Sequence, residues 1–279
     1  KHQWHLWQRV PEAAFVPAGD NSFVPTPEFC FLQMASTLDF ENLVLLGMEL
    51  CGGYRLDPRE EAGFAQDTLP LTSRERIADF LERSNGMTGH RKASQALKYL
   101  LNRSNSPMET TVSMMLHLPY KHGGYCLPAP ELNNPIPLGD EARKLYDAKT
   151  CYGDICWTAA ALDLEYLGDV HTGKANMLSD RSRTLAIQEM GFQVMEITKE
   201  QVEDLDAFDI LARRIAVILG KRLRTDKLGA TPERRHLQAI AMAPEISSAS
   251  RQAPEGYDLG YDAPEDEGIV FGAWPDASR

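Results

Sequence analysis

Gly153-Asp154-Ile155-Cys156-Trp157 and Ala161-Leu162-Asp163-Leu164-Glu165-Tyr166 are the stretches on which the reading of this chain turns. Each is a short apolar run carrying acids, and their closeness in sequence predicts an antiparallel hairpin over about 152–157 and 161–166. In a hairpin the start of the first strand neighbours the end of the second, which sets Asp154 beside Glu165. Two carboxylates side by side in a half-buried place repel each other and invite a cation. If the second strand alternates regularly, Asp163 shares Glu165's face, either as a third member of the group or in an ion pair.

Outward from the hairpin the elements fall into a recognisable order. Upstream, Ser106-Pro107-Met108-Glu109 opens a helix with apolar Val112, Met115, Leu116 and Leu118, ended by Pro119. Short extended pieces are expected at about 136–138 and 144–147. Downstream, a helix over about 176–190 stops at Gly191, and 192–197 reads as a buried strand. Thr198-Lys199-Glu200-Gln201 then caps a helix whose apolar face carries Leu205, Phe208, Leu211, Ile215 and Ile218. Helix, mixed sheet, helix, strand, helix is an α/β order. An all-α region precedes it, with helices started by Thr26-Pro27-Glu28, spanning about 40–51, begun by Thr72-Ser73-Arg74-Glu75 with capping-box spacing, and spanning about 89–102. The expected organisation is a fragment or linker over 1–25, a helical module over 26–104, an α/β domain over 105–228 and a mobile acidic tail over 229–279.

Composition narrows the function classes. A hydrophobic fraction of 43% with 25% charged residues is ordinary for a globular chain. No apolar run approaches the roughly 18 residues of a membrane span, and no signal peptide is read at the start, so no membrane association and a bacterial cytoplasmic location are expected. Five cysteines (Cys30, Cys51, Cys126, Cys151, Cys156) with no CxxC pair argue against zinc and against a disulfide framework. The net charge of −11 excludes a protein that coats nucleic acid indiscriminately. Its distribution is uneven: Arg213, Arg214, Lys221, Arg222, Arg224, Lys227, Arg234 and Arg235 crowd one stretch, and an acid-rich segment follows from Arg251. A solvated helix face explains such a run as readily as a DNA contact does.

Hydrolysis of a phosphodiester at neutral pH calls for a divalent ion that activates water and neutralises charge at phosphorus. Magnesium accepts oxygen ligands, usually one or two protein carboxylates, and keeps several waters. The run Asp154…Glu165-Tyr166-Leu167-Gly168-Asp169-Val170-His171…Asp180-Arg181-Ser182-Arg183…Gly191-Phe192-Gln193-Val194 resembles the very-short-patch-repair-like endonucleases of the PD-(D/E)xK, restriction-endonuclease-like superfamily. Ser106-Pro107-Met108-Glu109 resembles that family's Ser-Pro-x-Glu helix, and the region from Thr26 is similar to abortive-infection-type antitoxin regulators. The resemblance implies a restriction-endonuclease-like core and a metal-dependent DNA endonuclease acting in phage defence or DNA repair. It implies Mg2+ or Mn2+ held by Asp154, Glu165 and Glu109, proton transfer by His171, and DNA as partner, with a further protein partner for the helical module. Arg183 and, from the basic run, Arg213, Arg214, Lys221 and Arg222 are the expected nucleic-acid contacts. Two positions depart from the pattern: the superfamily lysine after Glu-x is absent, and Leu167 replaces the acid of Glu-x-Asp-Gly. These departures keep open a degenerate nuclease fold that binds DNA without cutting it.

Each site residue also has a purely structural reading. Glu109 completes a helix cap with Ser106, Asp154 suits a strand-entry turn, and Glu165 suits a salt bridge. Asp180 and Arg183, three apart on a helix, make an ordinary surface pair. Trp157 and Tyr166 read as packing residues rather than stacking platforms for bases.

Overall fold

The computed structural model describes residues 10–19, 22–60, 62–168 and 174–242. A small hairpin of β1 (Phe15–Pro17) and β2 (Phe23–Pro25) leads into α1 (Pro27–Met34) and α2 (Phe40–Leu50). A second small hairpin, β3 (Arg55–Leu56) with β4 (Phe64–Ala65), precedes α3 (Arg74–Arg83) and α4 (His90–Ala96). Thr26 caps α1 by accepting from the Phe29 N–H, with Pro27 in the first turn, as its residue types require. Ser73 rather than Thr72 caps α3, because the Thr72 hydroxyl is engaged elsewhere and donates to the buried Glu28 carboxylate at 2.5 Å. The helix expected to reach 102 ends at Ala96, and a 3-10 turn (Leu97–Tyr99) follows. There Leu100 turns inward over Gly47 of α2, where any added β-carbon would lie 2.5 Å from its methyl.

The helix α5 (Pro107–His117) opens the second half and is buried along its whole length. After it come β5 (Glu131–Pro137), α6 (Asp140–Leu145), β6 (Thr150–Trp157), β7 (Leu162–Leu167), α7 (Lys174–Glu189) and β8 (Gln193–Thr198), then α8 (Lys199–Glu203), α9 (Leu205–Ile218) and α10 (Pro232–Ala241). The sheet order is β5-β6-β7-β8; the first three strands run antiparallel and β8 joins β7 in parallel through the α7 crossover. The expected order of helix, mixed sheet, helix, strand, helix is therefore present in a mixed α/β fold. No strand forms near 144–147: 144–145 close α6, whose Asp140 and Glu141 in the first turn and Arg143 and Lys144 in the last complement its dipole, and 146–147 follow its end.

Two apolar clusters embrace the sheet. One joins Ile136, Leu138, Cys151 and Cys156 to Ala186 and Ile187 of α7. The larger joins Ile155, Trp157, Leu164 and Ile197 to α5, α9 and the helices of the first hundred residues, so one continuous core spans both halves. The mobile tail expected from 229 needs correction at its start, since residues 232–241 form α10. Its Arg234 is buried, donating to Asp209 at 3.1 Å and to the carbonyls of Gly123, Gly229 and Lys227, with its guanidinium 3.7 Å over the Tyr125 ring. The sequence hid this helix because its apolar positions are few and flanked by charge.

Candidate active site

Glu109 enters the interior because α5 does. The helix is capped by Ser106, whose Oγ accepts from the Glu109 N–H at 3.1 Å and donates to Glu109 Oε1 at 3.0 Å. The capping reading is thus present in altered form: the backbone N–H reaching the carboxylate belongs to Asn105, at 2.8 Å, not to Ser106. Asn133 of β5 gives a further hydrogen bond to Oε2 at 2.7 Å. Against these donors, burial and then the charge of Asp154 push the Glu109 carboxyl well above its ordinary range, to about 8.

Asp154 interacts by charge with both Glu109 and Glu165. One step beyond the pair Ile155↔Leu164, the β6–β7 register brings Asp154 alongside Glu165, as the hairpin required. Asp154 Oδ2 accepts from the Tyr166 N–H at 3.0 Å. Burial and the Glu165 charge raise its pKa to about 7.

Asp163 and Glu165 occupy one face of β7, two residues apart, and both are buried. Asp163 receives the Cys156 thiol at 3.3 Å, and Glu165 Oε2 receives the Arg183 guanidinium from α7. The remaining oxygens, Asp163 Oδ2 and Glu165 Oε1, receive no N–H or hydroxyl donor although solvent does not reach them, and the two carboxyls lie within hydrogen-bonding reach of each other. The two carboxyls also interact with each other, and burial first, then this interaction, raises Glu165 to about 8. Buried polar atoms are almost always satisfied, so two carboxylate oxygens without such a donor in one place mark a group that needs a proton or a cation.

Gly153 makes room for the cluster. A β-carbon there would stand 2.4 Å from Cys156 Sγ and 2.6 Å from Asp163 Oδ1. Glu109, Asp154, Asp163 and Glu165 thus bring carboxylates from α5, β6 and β7 into one buried, mutually interacting neighbourhood of the oxygen-donor type that magnesium and manganese take, although among the described residues only Asp39, Glu41 and His236 bring three ligand atoms within 4.8 Å of one another.

Of the five basic residues expected at nucleic acid, Arg183 alone acts on these carboxylates; its guanidinium also donates to the Tyr152 carbonyl at 2.8 Å. It pairs with Glu165 across elements rather than with Asp180, which is exposed. Arg213, Arg214, Lys221 and Arg222 lie exposed on α9 and the segment after it. His171 lies outside the described residues, as does Asp169. Trp157 donates its indole N–H to the Pro128 carbonyl and packs in the core. His117 is a buried core histidine between the Ser113 and Tyr99 carbonyls, and His122 pairs with Glu41, so neither reaches the cluster. A separate group, Asp39, Glu41 and His236, brings ligand atoms within 4.8 Å of one another, but Asp39 is already spent on capping α2.

The structure brings the three acids expected from the sequence, Asp154, Glu165 and Glu109, into mutual charge interaction, adds Asp163, for which the sequence leaves a cluster member or an ion pair open, and adds Asn133, which no sequence feature marks. Alternation along β7 was the one signal for Asp163; Asn133 gave none, because its role rests on a contact with α5.

Fold and site together define a mixed α/β protein with a buried carboxylate cluster at the junction of a central helix and two strands. The chain matches no protein-family model, and no solved structure matches it. It is 29% identical over 132 residues to two Mycobacterium tuberculosis proteins described as uncharacterized, Rv2248 of strain H37Rv and MT2308 of strain CDC 1551. The match takes in 47% of this chain and 44% of each relative, so the chain spans less than half the length of the curated relatives it matches. Among the described residues no helix is long and apolar enough to cross a membrane.

Proposed function

We propose that this chain is a metal-dependent DNA endonuclease on a restriction-endonuclease-like core, using Mg2+ or Mn2+ held by Asp154, Glu165 and Asp163, with Glu109 beside them. The observation that carries the reading is the pair of buried oxygens on Asp163 and Glu165 that receive no N–H or hydroxyl donor, under the influence of the Asp154 charge. A bound ion there supplies positive charge at phosphorus and an acidified water. The protein's own groups hold and orient. Asn133, Asn105 and Ser106 fix the Glu109 carboxylate, and the Tyr166 N–H fixes Asp154. Arg183 gives Glu165 a permanent cation from α7, the electrostatic service that the missing lysine of the β7 motif would supply. Asp163 restores a carboxylate to the face of β7 where Leu167 has lost one, on the other side of Glu165. A role in phage defence or DNA repair, with a protein partner on the helical region, goes with this reading.

A second reading is favoured by Leu167 itself, which is 39% exposed and offers no ligand: a nuclease fold that binds DNA and does not cut. Supercoiled-plasmid cleavage in magnesium, manganese and chelator decides between them. Metal-dependent nicking lost in Asp154→Ala and Asp163→Asn supports the enzyme. DNA binding with no cleavage in either metal supports the second reading, and nicking that survives both substitutions removes this site from the chemistry.

A further inference from the structure

Between the helical region and the free edge strand β5 lies a cavity of about 380 Å3, lined among others by Arg74, Lys98, Asn102, Arg103, Pro130 and Asn134. Its three basic side chains come from three separate places: the first turn of α3, the turn after α4 and the loop before α5. All three residues are exposed. Among the described residues Lys98 and Arg103 form no ion pair, and Arg74 reaches Glu75 only at 4.0 Å. The one acid lining the cavity, Glu131, takes a hydrogen bond from the Thr158 hydroxyl. In a chain of net charge −11, three cations against one lining acid in a concave place favour positive potential there, with Lys98 and Arg103 free of ion pairs among the described residues.

The cavity is joined to the carboxylate cluster through one side chain. The Asn133 amide donates to the Arg103 carbonyl at 2.9 Å and to Glu109 Oε2 at 2.7 Å, while its neighbours Leu132 and Asn134 line the cavity. Arg103 and Asn133 both hold positive φ, 71° and 45°, a conformation that disfavours residues bearing a β-carbon and persists where surrounding contacts enforce it. The groove and the candidate metal ligands are therefore set in a fixed relation.

We propose that this groove is the track for the sugar–phosphate backbone of DNA beside the scissile phosphodiester, so that the helical region is part of the substrate-binding surface. The proposal rests on the nuclease reading for its substrate. Arg103 offers a planar donor pair that matches phosphate oxygens, Lys98 offers a point charge, and Arg74 adds the guanidinium N–H groups it does not give to the Leu97 carbonyl. This assigns the backbone contact to residues 74–134 rather than to the basic run on α9.

The test is fluorescence anisotropy of a short labelled DNA duplex across a salt series, with calcium occupying the oxygen ligands. The full chain, Lys98→Gln/Arg103→Gln and a control, Arg213→Gln/Arg214→Gln, are compared after circular dichroism shows each folded. Gln at 103 faces the same backbone constraint as Arg. Each phosphate contact contributes about 0.9 to the slope of log K against log salt, so the groove variant is expected to lose about 2 from the slope. Its affinity is expected to fall by on the order of 10-fold or more, with manganese affinity by calorimetry unchanged and the control like the parent. Should the double variant not fold, Arg74→Gln alone is expected to lower the slope by about 1. Groove variants that bind with the parent's affinity and slope overturn the track, as does a parent that binds manganese but no DNA; the nuclease reading then stands or falls by plasmid cleavage. Groove-dependent binding in a parent that neither binds manganese nor cleaves keeps the track and ends the nuclease reading.

Discussion

Glu109 serves two roles at once, and a single substitution separates them. Its carboxylate is a cap acceptor for Asn105 and Ser106 and a member of the charged cluster with Asp154. In Glu109→Gln the amide oxygen can keep Asn105 and Asn133, while the Ser106 hydroxyl rotates to accept from the new NH2. The fold is expected to change stability by less than about 1 kcal/mol, because the hydrogen bonds survive and a repelled charge is removed. Manganese binding, read by calorimetry, is expected to weaken. Ser106→Ala is expected to do the reverse, costing about 1 kcal/mol in melting experiments with manganese binding nearly intact. If Glu109→Gln binds manganese like the parent, Glu109 is a helix cap alone and the carboxylates of β6 and β7 hold the ion without its help. The same residues predict an unusual pH response in chelator. Glu109, Asp154 and Glu165 are raised to about 8, 7 and 8, so the folded chain holds more protons than the unfolded one from about pH 4 to 8. Their stabilising contribution is full below the unfolded carboxylate range and is lost as pH rises through 7–8. The melting temperature in chelator is therefore expected to be higher at pH 6 than at pH 8, and Asp163→Asn to flatten the difference. Saturating manganese should stabilise most at pH 8, where the ligands are deprotonated. A parent whose melting temperature rises steadily from pH 6 to 8 in chelator contradicts the crowded-acid account.

At the scale of elements, the cluster depends on how closely β6 and β7 approach. Gly153 permits this, since a methyl group there would meet Cys156 Sγ and Asp163 at well under contact distance. The expected result for Gly153→Ala is a loss of about 1–3 kcal/mol by overpacking, with manganese affinity reduced as Asp163 is displaced. Gly168→Ala, which meets nothing nearer than 3.8 Å, is the matched control. Equal melting temperatures for the two variants would show that β6 yields easily and that the cradle is not tight. The hairpin, the α7 crossover and the Ser106 cap were all legible in the sequence, because each is encoded by residues within a few positions of one another. The cross-element partners were not. Arg183 was expected beside Asp180 on its own helix, whereas packing of α7 on the sheet brings it to Glu165.

On the scale of the molecule, α10 ties the end of the described chain to its centre. Arg234 is buried against Asp209, three backbone carbonyls and the Tyr125 ring, and Thr111 of α5 donates its hydroxyl to the Ala241 carbonyl at 2.8 Å. Breaking a buried pair by removing one partner typically costs about 3–5 kcal/mol, because the other charge stays behind unpaired. Arg234→Met is expected to lose stability in that range in a denaturant titration, and truncation after Leu228 at least as much, since Leu237 also leaves the core. A truncated chain that melts like the parent would return α10 to the status of a dispensable tail. Because α10 packs on α5, its loss is also expected to loosen Glu109 and lower manganese affinity.

The sequence by itself determined the order of elements, most helix starts, the α/β class and the pairing of Asp154 with Glu165, since periodicity and capping chemistry act over a few residues. Tertiary structure alone decided that Asp163 is buried with an oxygen that no N–H or hydroxyl reaches, that Arg183 serves Glu165, that Asn133 bridges Glu109 to Arg103, and that residues 232–241 fold back as α10. The reason is physical. Desolvation and the absence of a donor are properties of everything packed around an atom, and those neighbours come from segments up to 130 residues apart in the chain.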